Sequence, residues 1–215
     1  DISNKKEPPF YHCSNLQSFT FGKEVEHIPA YLCVNNRKKL SSISIPNGVT
    51  SIGEGAFKGC SKLSSVTIGN NVTGIGERAF QDCSALDSII IPEGVTSIKR
   101  QTFYGCNSLS SIILPQSVTS IEDYAFWGCY SLTSVIIPNS VTSIGVRTFN
   151  SCSSLTSMTI PNNVINIGDN SFYGCTLVED NFINNSSLDE VSNNYWGATI
   201  VDQENTVLER YIMFS

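Results

Sequence analysis

The chain has 215 residues, of which 40% are hydrophobic and only 15% charged, and its formal net charge is −6. That balance weighs against a nucleic-acid partner, which needs a basic stripe to displace counterions, and against docking on anionic lipid. No apolar run approaches the roughly 20 residues that span a bilayer, so no transmembrane segment is expected.

In chain order, Asp1-Ile2-Ser3-Asn4 lacks the basic and apolar regions of a signal peptide. The chain starts at Asp rather than Met, so a leader or a longer upstream region is expected to have been removed. Residues before Pro8-Pro9 read as a frayed tail. Residues 1–39 then form a decayed copy of the unit that follows. Phe10, Cys13, Leu16, Phe19, Phe21, Val25 and Ile28 match its apolar positions in order, and Leu32 and Cys33 fall where Ala56 and Phe57 stand later. Val34 to Lys39 reads as a lengthened turn, because the step from Leu16 to Leu40 is one position longer than the step from Leu40 to Leu63.

Residues 40–177 hold six regular copies of a 23-residue unit. Cys60, Cys83, Cys106, Cys129, Cys152 and Cys175 recur at that spacing, as do Leu40 to Leu155, Phe57 to Phe172, Ile52 to Ile167 and Val49 to Val164. Chance does not hold five columns in register over six periods, so the period decides the fold.

One unit reads Leu40-Ser-Ser-Ile43-Ser-Ile45-Pro46, then Val49, Ile52, Ala56-Phe57 and Cys60. Leu, Ile and Ile at its first, fourth and sixth positions start a leucine-rich-repeat pattern. Alternation at Ile43 and Ile45 predicts a short strand with one face inward. Pro46 stops it, since proline cannot donate to a ladder; Pro recurs at 92, 115, 138 and 161, with Gly69 the exception. Val49 to Ala56 turns back and is too short for a stable helix, so irregular structure or short strand fragments are expected on the convex side. The predicted fold class is an α/β horseshoe-type leucine-rich-repeat solenoid, mostly β with little helix. A parallel sheet should line its concave side. A single unit buries too little to stand alone, and stacking supplies the rest.

The string Cys60-x-x-Leu63-x-x-Val66-x-Ile68-x-x-x-Val72-x-x-Ile75-Gly76-x-x-Ala79-Phe80 resembles the BspA-like leucine-rich repeats, and Ile-Pro-x-x-Val-Thr-Ser-Ile at 91–98 and 137–144 is characteristic of that family. The resemblance spans about residues 10 to 177. It implies a bacterial cell-surface or extracellular protein engaged in adhesion or host interaction, and it supplies no catalytic residues.

Residues 178–215 leave the repeat. Phe182 to Leu188 and Asn193-Asn-Tyr-Trp-Gly197 are turn-rich, and the latter is similar to interruptions between repeat blocks in proteins of gut Bacteroidetes. Thr199-Ile-Val201 and Val207 to Phe214 read as two strands, either a hairpin capping the last repeat or the start of a further one.

Little in the sequence points to chemistry. Seven of the eight cysteines, from Cys13 to Cys175 but without Cys33, occupy one column of the repeat and read as a mainly reduced, buried ladder of small hydrophobic side chains. Parallel side chains suit disulfide geometry poorly. A 23-residue ligand spacing and two histidines, His12 and His27, give no metal site. No serine has a recognisable triad. Glu54, Glu77 and Asp123 read as solvated turn residues, not a glycosidase pair. No phosphate-binding loop is present, so neither enzyme activity nor a cofactor is expected.

Binding is the remaining class. Ser88, Ser111 and Ser134 should face outward from the concave sheet, next to Ile90, Ile113 and Ile136. Three exposed Ile on consecutive rungs would make an apolar stripe for a protein partner, such as a host extracellular protein; the alternative is that β-branched residues simply stabilise the sheet. Tyr104, Trp127 and Tyr173 follow the buried Phe of their units, and Trp127 with Tyr124 and Tyr130 forms an aromatic cluster in one repeat. These suit an interface or stacking on a glycan, unless they are partly buried between turns. A structural spacer is the third reading. Asn71-Val-Thr73, Asn184-Asn-Ser186 and Asn185-Ser-Ser187 are glycosylation sequons, relevant only to a eukaryotic source.

Overall fold

The computed structural model describes residues 10, 15–33, 39–178, 181–188 and 194–201. His12, Cys13, most of the 34–39 turn and the expected strand from Val207 to Phe214 lie outside them. The described residues build the expected horseshoe-type solenoid, with parallel β pairing throughout and a short 3-10 turn at Asn194–Gly197. No helix among them is long and apolar enough to cross a membrane.

Each rung has three sides. The first is the concave sheet, with strands Ser42–Ile45, Ser65–Ile68, Ser88–Ile90, Ser111–Ile113, Ser134–Ile136 and Ser157–Ile160. Their register is set by the period, so Ser88 faces Ser111 and Ile90 faces Ile113. Side chains alternate as pleating requires: Ile43 and Ile45 are buried while Ser42 and Ser44 are exposed. The proline after most of these strands removes a donor and turns the chain.

The second side carries two-residue strands, among them Ser97–Ile98, Ser120–Ile121, Ser143–Ile144 and Asn166–Ile167, again parallel. These are the short strand fragments expected on the convex side. The third side runs from about residue 53 to 60 in the first full unit. There every second N–H donates to the next rung: Gly55 to Glu77 O at 2.8 Å, Phe57 to Ala79 O at 2.8 Å and Gly59 to Gln81 O at 2.6 Å. The decayed N-terminal unit keeps this pattern, since Cys33 N–H donates to Ala56 O at 2.9 Å. That places Cys33 in the position of Phe57.

Inside, identical side chains pack on their copies. Phe57, Phe80, Phe103, Phe126, Phe149 and Phe172 are fully buried. Their rings stack nearly parallel, with centroids 5.2 Å apart between Phe126 and Phe149 and 5.8 Å between Phe149 and Phe172. Offset aromatic pairs of this kind add about 0.5–1.5 kcal/mol each beyond area burial. Thr102 and Thr148 replace the buried Ala56, Ala79 and Ala125 of other rungs. Their hydroxyls donate to Lys99 O at 2.8 Å and Gly145 O at 2.7 Å, so burial leaves neither unsatisfied.

Past Cys175 the chain stays in contact with the array. Phe182–Asn184 pairs in parallel with Ser157–Ile160, and Phe182 stands opposite Met158 in the register. That pairing is offset by one position more than the period. Thr199–Val201 pairs in parallel with Thr176–Val178. Trp196 is 5% exposed and meets Phe172 edge-on at 6.1 Å, with Phe172 N–H donating to Trp196 O at 3.1 Å.

Candidate functional site

Two surfaces hold the candidate residues. On the concave sheet Ser88, Ser111 and Ser134 are exposed. Ile90, Ile113 and Ile136 beside them are 69%, 64% and 80% exposed. Each Ile lies at the centre of an outward row, and only the neighbouring rungs limit its contact with water. Ile183 is exposed too and pairs opposite Thr159 in the same row. Sequence reasoning missed it because a one-position insertion takes it out of the repeat count.

The third side carries the aromatic residues, and their grouping differs from the single-repeat cluster expected. Trp127 stacks on Tyr104 of the preceding rung, with centroids 4.6 Å apart and planes at 11°; its described ring contact is with that residue, not with Tyr124 or Tyr130 of its own rung. Tyr124 and Tyr130 instead lie near Tyr104: burial raises the Tyr104 hydroxyl pKa, and Asp82, Tyr130 and Tyr124 push it further the same way. Arg100 sits over the Tyr124 ring, 6.0 Å from its centroid. Tyr104, Tyr124 and Trp127 are half-buried, whereas Tyr130 and Tyr173 are exposed.

The backbone fixes where these side chains point. In every full rung the residue two before Phe adopts a left-handed conformation: Gly55, Arg78, Gln101, Tyr124, Arg147 and Asn170 all have φ between 52° and 58°. Only the first is glycine. The others accept a cost of about 1–2 kcal/mol each, offset by the inter-rung bonds that flank them. Their side chains form an outward ladder, in which Arg78 Nε donates to Gln101 Oε1 at 2.8 Å and Arg78 pairs with Glu54 at 3.1 Å.

The column that follows Phe reads Lys58, Gln81, Tyr104, Trp127, Asn150 and Tyr173. Asn150 is the odd member, buried at 7% exposure between two aromatic neighbours. With Trp127, Arg147, Ser151, Asn170 and Tyr173 it lines a groove of about 370 Å³. Asn150, Arg147 and Asn170 were not singled out from sequence, although reading the Phe-adjacent column rung by rung would have exposed the Asn.

Among the described residues no group of three or more His, Cys, Asp or Glu is placed to hold a metal ion. Glu122 is the carboxylate with the most built surroundings. It accepts from Lys99 Nζ at 2.9 Å, Arg100 N–H at 3.0 Å and Ser97 Oγ at 3.1 Å. Burial alone would raise its pKa, but these donors hold it below the ordinary carboxylate value. All its partners are structural neighbours on adjacent rungs.

A family model described as BspA type leucine rich repeat region matches residues 2–105 and 75–198, in six copies. Among solved structures, a leucine-rich repeat protein from Bacteroides ovatus is 30% identical with a TM-score of 0.68, over 84% of this chain and 49% of that one. A leucine rich cell surface protein from Faecalibacterium prausnitzii is 27% identical with a TM-score of 0.54, over 79% of this chain and 66% of that one. The chain therefore spans about half the length of the Bacteroides ovatus protein. No curated protein matches it.

Proposed function

We propose that this chain, which belongs to the BspA-type leucine-rich-repeat family, is a non-enzymatic interaction module that grips a partner protein on its concave sheet. The observation that carries the reading is the row Ile90, Ile113 and Ile136, each more than half exposed on consecutive rungs. A contiguous apolar stripe of that kind is costly to leave in water and marks an interaction surface. Ser88, Ser111 and Ser134 alongside it supply hydroxyls that tolerate either water or a partner's polar rim. The setting that suits such a module is a cell surface or the extracellular space, where an adhesive protein meets host proteins. The name of the Faecalibacterium prausnitzii relative, a cell surface protein, supports that setting.

The test is Ile113→Glu, assayed for adhesion to a panel of purified host extracellular proteins and for thermal melting. Loss of adhesion with an unchanged melting temperature is the expected result. A lower melting temperature with adhesion intact would mean that the isoleucines serve sheet packing alone.

A further inference from the structure

The groove on the third side has features that the concave-sheet reading does not use. Trp127 presents one face to Tyr104, at 4.6 Å, and the groove lies on the other side, over Asn150. Tyr173 stands at the far end of the same groove and is 58% exposed. Trp127 and Tyr173 are two rungs apart, which at roughly 4.7–4.9 Å per rung sets their backbones about 9.5 Å from each other. Carbon contacts of roughly 3.5–4.0 Å on either side leave space for one ring between them.

Both walls are backed. Tyr104 supports Trp127 from behind. At the other end, a methyl group built on Gly197 would lie 3.1 Å from Tyr173 Cβ and 3.4 Å from Asn170 Oδ1, so the last described rung is packed tightly against that wall. The slot exists because Asn150 puts a shorter side chain between Trp127 and Tyr173 in the column that follows Phe.

The floor is polar. Asn150 Oδ1 accepts from Ser151 Oγ at 2.8 Å, and among the described residues no group accepts from its Nδ2, which leaves it for an acceptor arriving in the groove that Asn150 lines. Arg147 and Asn170 rim the same groove. Both are held at positive φ, 52° and 55°, so their side chains leave the backbone in a set direction. No described carboxylate pairs with Arg147.

We propose that this slot binds a pyranose ring of a glycan, stacked between Trp127 and Tyr173 with its hydroxyls on Asn150 Nδ2, Arg147 and Asn170. A sugar ring offers C–H faces to aromatic walls and hydroxyl edges to amides and guanidinium. A partner's aromatic side chain would fill the walls but leave Asn150 and Arg147 unpaired. The volume of about 370 Å³ lies at the low end of the roughly 300–1,000 Å³ usual for small-ligand sites, which fits one or two sugar units.

The probe is a panel of neutral and uronic-acid-containing oligosaccharides of defined linkage, titrated into the full chain while tryptophan emission is followed. Trp196 is buried, so a ligand-dependent change reports on Trp127. At least one oligosaccharide should bind. Trp127→Ala and Tyr173→Ala should each weaken it more than about tenfold, Trp127→Tyr should restore most of the affinity, and Asn150→Ala should weaken it by a smaller factor. Ile113→Glu should leave sugar binding untouched, which separates this site from the concave sheet. Binding that survives both aromatic truncations overturns the proposal. So does a panel that is blank at about 10 mM while tyrosine- or phenylalanine-bearing peptides quench the emission.

Discussion

The Cys106 thiol donates a hydrogen bond of 3.2 Å to the backbone carbonyl of Phe80, which lies one rung earlier in the chain. The relationship repeats along the array, from Cys83 to Phe57, Cys129 to Phe103, Cys152 to Phe126 and Cys175 to Phe149, at 3.1–3.3 Å. All seven described cysteines are free and buried. Each of these five bonds needs the thiol proton, so the column is built for the reduced form. Burial pushes the Cys83, Cys106 and Cys129 thiols well above their ordinary pKa, which removes the reactive thiolate.

Thiol labelling checks this. At pH 8 the folded protein should leave these cysteines unmodified for as long as it stays folded, and denaturant should release all eight thiols of the sequence. Rapid native labelling of several residues, or missing thiols after denaturation, would contradict it. Cys106→Ala should cost about 1–2 kcal/mol, the sum of a small cavity and a weak buried hydrogen bond.

The phenylalanine stack makes a second prediction that depends on position. Phe126 has ring neighbours on both sides, at 5.4 Å and 5.2 Å. Phe57 stacks on Phe80 at 5.5 Å, and the position on its other side belongs to Cys33, which has no ring. Phe126→Ala should cost about 3–5 kcal/mol in urea unfolding. Phe57→Ala should cost less by about one aromatic pair, roughly 0.5–1.5 kcal/mol. Equal losses would mean that burial alone, without stacking, sets the energy.

The same columns explain what was legible beforehand. Phe, Cys, Leu, Val and Ile positions could be read from sequence because each meets an identical environment in every rung, so identical residues recur. The convex strand fragments and the outward Ser and Ile rows followed from the same count. Asn150 and Ile183 did not. Asn150 faces outward on the third side, where neighbours differ from rung to rung, and its burial arises only between Trp127 and Tyr173. Ile183 sits one position beyond a full period from its structural counterpart Thr159. A one-position insertion thus hides a rung from any fixed-period reading.

Glu122 carries a pH prediction. Its donors hold the folded pKa below the ordinary carboxylate value, whereas an unfolded Glu titrates near about 4.3. The stabilisation is therefore fully present above that unfolded value and is lost as pH falls through the lower, folded one. Its side chain is 33% exposed, so solvent screening keeps the contribution to about 1 kcal/mol or less. Glu122→Gln should lower the melting temperature at pH 7, and the gap from wild type should close under acid conditions. A gap that widens on acidification would reverse the sign and rule out the Lys99–Glu122 contact as its source.

The two tryptophans should behave oppositely. Trp196 packs edge-on against Phe172, the last phenylalanine of the described stack, and is 5% exposed. Among the described residues its ring covers the side of Phe172 that faces away from Phe149. Trp196→Ala uncovers Phe172 and should cost about 3–5 kcal/mol, with loss of protection spreading inward from the C-terminal rungs in hydrogen exchange. Trp127→Ala removes one ring from a half-buried pair whose other member, Tyr104, stays in place, and should cost about 1 kcal/mol. If instead Trp127→Ala proved the more damaging of the two, the third side would be a packing surface and Trp127 part of the core. The small cost is required for a residue that is left partly open to meet a ligand.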